Sequence, residues 1–154
     1  MMREVRRHAL VPHTAAQMYA IVDAIERYPE FVPWCRAARV SERTATTVVG
    51  TLEIHQSGMH AHLTTRNTFT PNRRIELAQI EGPLKRLDGG WTFTPIPEQG
   101  PEQGSRVALD VRFEFRNFAL GMVLNRRFEA LWDSLVDAFV ARARALYGAG
   151  NVSA

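Results

Sequence analysis

The sequence predicts an α+β domain in which an antiparallel β-sheet of about seven strands wraps around one long C-terminal α-helix. Apolar and polar residues alternate through the middle of the chain, turn residues divide that region into hairpins, and the C-terminal segment changes to helical spacing. With 154 residues, 45% of them hydrophobic, the chain is long enough for one domain with a sizeable core. We assign this domain to residues 1–148 and expect residues 149–154 to form a frayed tail.

The N-terminal elements are predicted to be a strand and two short helices. Residues 3–11 indicate the strand. Thr14 and Gln17 have the spacing of a capping box, so a helix is expected from there to about Ile25. Two prolines limit segment 26–34 to a short second helix.

The central region is predicted to be a series of hairpins. Its clearest strand, 107–116, alternates apolar with mostly charged residues, which is typical of an antiparallel sheet with one covered face. If residues 57–58 form a two-residue turn, Leu52 faces Leu63 on that covered face. A longer polar loop is expected at 96–104.

The same register places a histidine cluster on the polar face of that hairpin. His55 then faces His60, and Glu53 faces His62, which is enough imidazole and carboxylate to bind Zn²⁺. The alternative is a solvated face with ordinary cross-strand pairs, and the polar neighbours on that face favour it. We therefore predict no metal site.

The last element is a long amphipathic helix over residues 119–147. Apolar residues recur there at spacings of three and four, which places them in one broad stripe. At about 1.5 Å per residue the helix is about 40 Å long, and Gly148 is a natural C-terminal stop. A cavity can form between such a helix and the sheet that covers it.

Composition and charge exclude several classes of protein. The net charge is +3, and the arginines are spread along the chain without a basic run, so we predict no DNA-binding site. A single cysteine, Cys35, rules out an internal disulfide. The apolar run near the N-terminus is too short for a signal peptide. No apolar run in the sequence reaches the length of about 18 residues that a membrane-spanning helix needs. We expect a soluble cytoplasmic protein that contacts the inner membrane surface only transiently.

Catalytic motifs are absent from the sequence. It has no nucleophile motif and no glycine-rich phosphate loop, and the inward positions Thr65 and Asn67 have no useful pKa. We therefore predict no enzymatic activity, no catalytic residue and no cofactor. The inward apolar side chains are either plain core or the lining of a ligand cavity, and the sequence leaves both open: Leu77, Leu87, Trp91, Phe93, Val111, Phe113 and Phe115.

Three blocks of the sequence resemble the coenzyme Q-binding START-domain family, which also contains the bacterial ribosome association toxin proteins. The blocks are DAIERYPEFVPWC at 23–35, GPLKRLDGGWTF at 82–93 and FEFRNFALGMVL at 113–124, and the likeness covers about residues 3–146. This resemblance implies a helix-grip fold, similar to START and Bet v 1 proteins, with a deep hydrophobic cavity. In the quinone-binding members it implies a role in carrying or presenting a polyprenylated benzoquinone, without catalysis.

The resemblance also implies where a ligand would bind. The lip of the cavity is expected at Tyr28, Phe31, Val32 and Trp34. The wall is expected at Leu87, Trp91 and Phe113, and the helical roof at Val123, Leu124 and Phe128. Inward or entrance positions add Leu63, Leu77, Phe115 and Leu120 to the predicted ligand-binding residues. Predicted contacts with an anionic partner are Lys85, Arg126 and Arg127.

Three functions follow as hypotheses. The leading one is non-enzymatic binding and presentation of a hydrophobic ligand, ubiquinone or another polyprenyl quinone or lipid, in support of respiration or quinone biosynthesis. The first alternative is a ribosome association toxin-like inhibitor of translation that binds the large ribosomal subunit. The second alternative is an aromatase or cyclase acting on a polyketide, which requires an inward titratable group, whereas strand parity places the histidines outward.

Two segments are expected to form the entrance of the cavity. Segment 28–34 combines prolines with large apolar side chains, and aromatic residues favour the boundary between apolar and wet surroundings. Opposite it, the start of the terminal helix offers four apolar residues, with two arginines close behind to meet anionic headgroups: Phe118, Leu120, Met122 and Val123, with Arg126 and Arg127. The alternative is that the aromatic residues of segment 28–34 close the end of the core.

Overall fold

The computed structural model describes residues 2–56, 58–96 and 103–148. The strands are β1 Arg3–Val11, β2 Cys35–Arg43, β3 Thr47–Gln56, β4 Met59–Thr70, β5 Arg74–Glu81, β6 Leu84–Pro95 and β7 Ser105–Phe115. The helices are α1 Ala15–Asp23, a 3₁₀ helix Ile25–Glu30 and α2 Phe118–Tyr147. The turn residue Ser57, most of the predicted loop 96–104 and the predicted tail 149–154 lie outside the described residues.

The seven strands form one sheet in which every neighbouring pair is antiparallel. Their order is β1-β7-β6-β5-β4-β3-β2. Helix α2 packs against β1, β7 and α1, while the 3₁₀ helix packs against β2. The predicted α+β helix-grip architecture is thereby confirmed. Within the described part of the chain, neither α-helix has the apolar length needed to cross a membrane.

The capping box at the start of α1 is present as predicted. The Gln17 N–H donates to Thr14 Oγ1 at 3.0 Å, and the Thr14 N–H donates to Gln17 Oε1 at 2.9 Å. The helix ends at Asp23, earlier than predicted, because the backbone leaves helical geometry at Ala24, where ψ is 61°. The predicted short second helix is the 3₁₀ helix that follows.

The register of the β3–β4 hairpin is also as predicted. Leu52 pairs with Leu63, and the histidine cluster lies on the other face of the two strands. The rings of His55 and His60 are 4.2 Å apart, and His55 Nε2 lies 3.2 Å from Glu53 Oε1. No group of three or more histidine, cysteine or acidic residues able to hold a metal ion occurs within residues 2–56, 58–96 and 103–148.

The hydrophobic core fills the space between α2 and the sheet. Buried residues of α2 alternate with the helical period: Phe128, Leu131, Trp132, Leu135, Val136, Phe139 and Ala143. Rings from α2 meet rings from the strands edge to face, with centroid distances of 4.8 Å for Phe113–Phe128 and 5.0 Å for Trp91–Phe139. Each such aromatic pair adds about 0.5–1.5 kcal/mol beyond the burial of its area.

Glycine is required in the middle of β6, where three strands come close together. Gly89 has φ of 111°, and a Cβ built there would lie 2.0 Å from the backbone oxygen of Asp110 on β7. The next residue, Gly90, is equally crowded, because its Cβ would lie 2.1 Å from the backbone oxygen of Ile75 on β5. These contacts involve backbone atoms, so a side chain is accommodated only if the strands move apart.

Replacing Gly89 by alanine tests this close approach. A matched control is Gly58→Ala, because Gly58 also has positive φ, 82°, but open space around its Cβ position. We expect Gly58→Ala to cost about 1–2 kcal/mol and to lower the unfolding temperature by about 2–8 °C. Gly89→Ala adds a backbone clash to the same strain. We therefore expect it to lower the unfolding temperature by more than about 10 °C in circular dichroism melts. Equal unfolding temperatures for the two variants would contradict this account.

Candidate ligand cavity and binding surface

Most of the predicted ligand-binding residues lie inside the core. The buried ones are Tyr28, Val32, Trp34, Leu63, Leu87, Trp91, Phe113, Phe115 and Phe128. Those that are partly buried are Phe31, Leu77 and Leu124. Leu120 and Val123, in contrast, are exposed, Val123 to 66%. Val123 therefore does not form part of a helical roof, because it lies on the solvent-facing side of α2, whereas Gly121 of the same turns is buried beside Phe115.

A cavity lies between the sheet and the helices in the described part of the chain. Its lining residues are Ile25, Tyr28, Gly50, Leu52, Leu63, Thr65, Asn67, Leu77, Trp91 and Trp132. The centres of water molecules can occupy about 40 Å³ of it, which is room for roughly three waters. Ligand pockets usually measure about 300–1,000 Å³, so the deep cavity that the resemblance implied is largely filled by side chains in this conformation.

Four predicted ligand-binding residues line this cavity: Tyr28, Leu63, Leu77 and Trp91. The inward positions Thr65 and Asn67 also lie there, as strand parity predicts. Trp132 of α2 also lines the cavity, and sequence analysis does not identify it as a cavity residue. Its indole could not be assigned from periodicity, because the contact depends on how α2 is rotated against β4 and β6.

The polar groups of the cavity provide hydrogen bonds and no charge. Thr65 Oγ1 donates to Asn67 Oδ1 at 2.7 Å. The Tyr28 hydroxyl donates to the backbone oxygen of Val22, and burial raises the pKa of Tyr28 far above its ordinary value. Trp132 Nε1 is buried and has no hydrogen-bond partner among the described residues. The lining can therefore bind a polar atom but offers no proton donor or acceptor that titrates near neutral pH.

The single thiol of the chain is poorly suited to act as a nucleophile. Cys35 is buried, and its Sγ donates to the backbone oxygen of Ala37 at 3.4 Å. Burial raises the pKa of Cys35 to about 11. Because the thiolate is the reactive form, this thiol is almost entirely unreactive at neutral pH.

The structure differs from the predicted entrance, because segment 28–34 packs against the second half of α2. The ring of Phe31 lies 5.6 Å from the ring of Phe139, and Trp34 Nε1 donates to Ser134 Oγ at 2.9 Å. Ser134 is eleven residues after Val123, which is about 16 Å along a helix. The segment therefore closes the core, as in the alternative interpretation, and lies away from the start of α2.

The start of α2 is an exposed apolar surface flanked by arginines. Its exposed apolar residues are Phe118, Leu120, Met122 and Val123. We call these four residues, together with Arg126 and Arg127, the α2 start surface. Phe118 is 69% and Met122 is 73% exposed. A groove of about 330 Å³ lies beside them, and Arg126 is one of its lining residues.

The cations of the α2 start surface are available to a partner. The guanidinium groups of Arg126 and Arg127 form no ion pair or hydrogen bond within the described residues. Lys85, the third predicted partner contact, is exposed at the start of β6, at the end of the sheet where β7 leads into α2. Arg3 also lines the groove, but its Nε donates to Glu129 Oε1 at 2.5 Å in an ion pair. The surface thus combines apolar side chains with free guanidinium groups.

Among the proteins similar to this chain in sequence are a ribosome association toxin and a coenzyme Q-binding protein. The ribosome association toxin RatA of Escherichia coli strain K12 is 35% identical over 148 residues, which is 96% of this chain and 91% of that protein. The mitochondrial coenzyme Q-binding protein COQ10 of Dictyostelium discoideum is 23% identical over 139 residues, which is 88% of this chain and 66% of that protein.

A solved structure and a protein-family model also match this chain. The crystal structure of the Zhui aromatase/cyclase from Streptomyces sp. R1128 matches 99% of this chain and 100% of that one, with a TM-score of 0.83 and 20% identity, which shows a shared fold alone. The model of the family described as polyketide cyclase / dehydrase and lipid transport matches residues 11–140. The chain therefore belongs to the polyketide cyclase/dehydrase and lipid transport family.

Proposed function

We propose that this protein binds the large ribosomal subunit through the α2 start surface and thereby inhibits translation, without catalysing a reaction. The observation that carries the proposal is the α2 start surface, which exposes apolar side chains beside two unpaired arginines on a molecule with a largely filled interior. The likeness to the ribosome association toxin RatA, 35% identity over 96% of this chain, supports the same function.

The chemistry of the surface suits a ribosomal partner. A guanidinium group binds phosphate oxygens with two hydrogen bonds, so Arg126 and Arg127 fit the backbone of ribosomal RNA. The apolar residues beside them would be removed from water at the contact, at about 25 cal/mol per Å² of apolar area. The net charge of +3 adds a weak general attraction to RNA.

Charge reversal on the α2 start surface tests this proposal. We expect Arg126→Glu/Arg127→Glu to weaken binding to purified large subunits by at least about tenfold in sedimentation assays, because two phosphate contacts are replaced by repulsion. The matched control is Arg73→Glu/Arg106→Glu, which makes the same change in net charge at exposed positions near the opposite end of the sheet.

Both double variants should keep the circular dichroism spectrum of the parent protein, since all four side chains are exposed. If the two double variants lose binding equally, the loss is explained by net charge alone. That result would contradict a specific role for the α2 start surface. Unchanged binding in Arg126→Glu/Arg127→Glu would contradict the proposal in the same way.

A second candidate function is non-enzymatic binding of a hydrophobic ligand, ubiquinone or another polyprenyl quinone. The likeness to COQ10 and the lipid transport description of the family favour it. The apolar lining of the internal cavity is compatible with it, although a quinone would need the cavity to enlarge well beyond its present 40 Å³. An aromatase or cyclase activity has less support, since the cavity lining offers no titratable group apart from the tyrosine hydroxyl already engaged by Val22.

Quinone uptake tests the second candidate function. If a short-chain ubiquinone enters the cavity, it should quench the fluorescence of Trp91 and Trp132, which line it. At a hundred times the dissociation constant, bound ligand should stabilise the fold by about 2.7 kcal/mol and raise the unfolding temperature by about 5–10 °C. The control is the same titration with Trp34→Phe, which removes a tryptophan outside the lining and should leave quenching in place. Absence of quenching and of any shift in unfolding temperature would exclude this function.

A further inference from the structure

The start of α2 contains a glycine that the fold itself does not require. Gly121 lies within regular helix, and its N–H donates to the backbone oxygen of Asn117 at 2.9 Å. Its φ is not positive, and a Cβ built there would lie 3.5 Å from Phe115 Cβ, which is ordinary van der Waals contact. Alanine would therefore fit. Glycine is nevertheless the least favourable helix residue after proline, so Gly121 lowers the stability of α2.

Gly121 forms the floor of the groove beside the α2 start surface. Phe118, Gly121, Met122 and Asn125 share one face of the helix, because they are spaced three and four residues apart. All four line the groove, and Gly121 is the buried one among them. Since glycine has no side chain, the groove reaches the helix backbone between Phe118 and Met122. Its volume of about 330 Å³ lies within the range of pockets that hold small ligands.

The lining of this groove combines an aromatic ring with an amide and a cation. The Phe118 side chain is 69% exposed, so its ring is available for stacking. Neither the Asn125 amide nor the Arg126 guanidinium forms a hydrogen bond in the described part of the chain. Aromatic side chains stack on nucleobases, amides bind their polar edges, and guanidinium groups bind phosphate. The combination therefore matches a nucleotide whose base is unpaired.

We propose that the groove binds an unstacked base of single-stranded RNA, with Phe118 as its stacking partner and Gly121 as the bare floor against which the base lies. The inference rests on the proposed ribosome binding, for which it names the recognised part of the RNA, an unpaired segment. A base inside an RNA helix cannot enter the groove, because neighbouring base pairs cover its faces and its partner covers its edge.

Three RNA probes test this proposal on the purified protein. They are a single strand of about twelve nucleotides, the same strand annealed to its complement, and a base-free ribose–phosphate strand of equal length. Binding would be followed by fluorescence anisotropy at one fixed salt concentration, because phosphate contacts depend on salt. We expect the single strand to bind at least about fivefold more tightly than the base-free strand, as one stacked base requires. The duplex reports binding to phosphates alone.

Gly121→Ala separates a binding role of the glycine from a structural one. Its methyl group would cover the floor of the groove, so we expect at least about fivefold weaker binding of the single strand and unchanged binding of the duplex. The same variant should raise the unfolding temperature by about 2–4 °C, because alanine favours the helix and fits the space.

Two further variants serve as control and as confirmation. Ala141→Gly makes the reverse change at an exposed position later in α2. It should lower the unfolding temperature by about 2–4 °C and leave single-strand binding unchanged. Phe118→Leu keeps an apolar side chain but removes the ring, so it should lose the preference for the single strand over the base-free strand.

Several results would overturn the inference. They are no binding of the single strand, equal affinity for the single strand and the base-free strand, and a Gly121→Ala variant that melts earlier or binds the single strand as the parent does. Sedimentation with large subunits is measured separately. A parent protein that binds large subunits without a preference for bases would retain the proposed function and lose this inference. No binding to large subunits would contradict the proposed function itself.

Discussion

The long helix α2 has to bury one apolar stripe against a seven-stranded sheet. The other features of the molecule depend on which part of that stripe is buried. Its 30 residues extend over about 45 Å, and the buried positions run almost entirely from Phe128 to Ala143. Between residues 118 and 127 only Gly121 is buried. The same helix therefore closes the core from Phe128 onwards and leaves apolar residues exposed in its first ten residues, 118–127.

The filled core explains why the interior has little room for a ligand, whereas the α2 start surface is free to contact a partner. Phe128 and Phe139 of α2 pack edge to face against Phe113 and Trp91 of the sheet, and these contacts are lost if the helix moves outward. The remaining space between the sheet and the helices is small, about 40 Å³. A bulky ligand tail would therefore require rearrangement of the core.

Local sequence patterns predicted most of the fold. The capping box of Thr14 and Gln17, the register of the β3–β4 hairpin and the helix stop at Gly148 depend on neighbouring residues, and the structure contains all three. The site was harder to predict. Prolines and aromatics in segment 28–34 suit a rim and a core equally well, and the choice depends on Phe31 meeting Phe139 and Arg142, far along the chain. Val123 follows the helical spacing of the stripe but is exposed, and no local signal distinguishes it from the buried members.

The central claim of this account is that the first turns of α2 are the contact surface, and hydrogen exchange measures it most directly. Backbone amides of the free protein would be compared with those of the protein bound to purified large ribosomal subunits, by mass spectrometry of peptides. The account predicts slower exchange confined to peptides that cover residues 116–127, with unchanged exchange in β2 and β3. Protection centred on another surface, or no protection in residues 116–127 while the protein is bound, would contradict it.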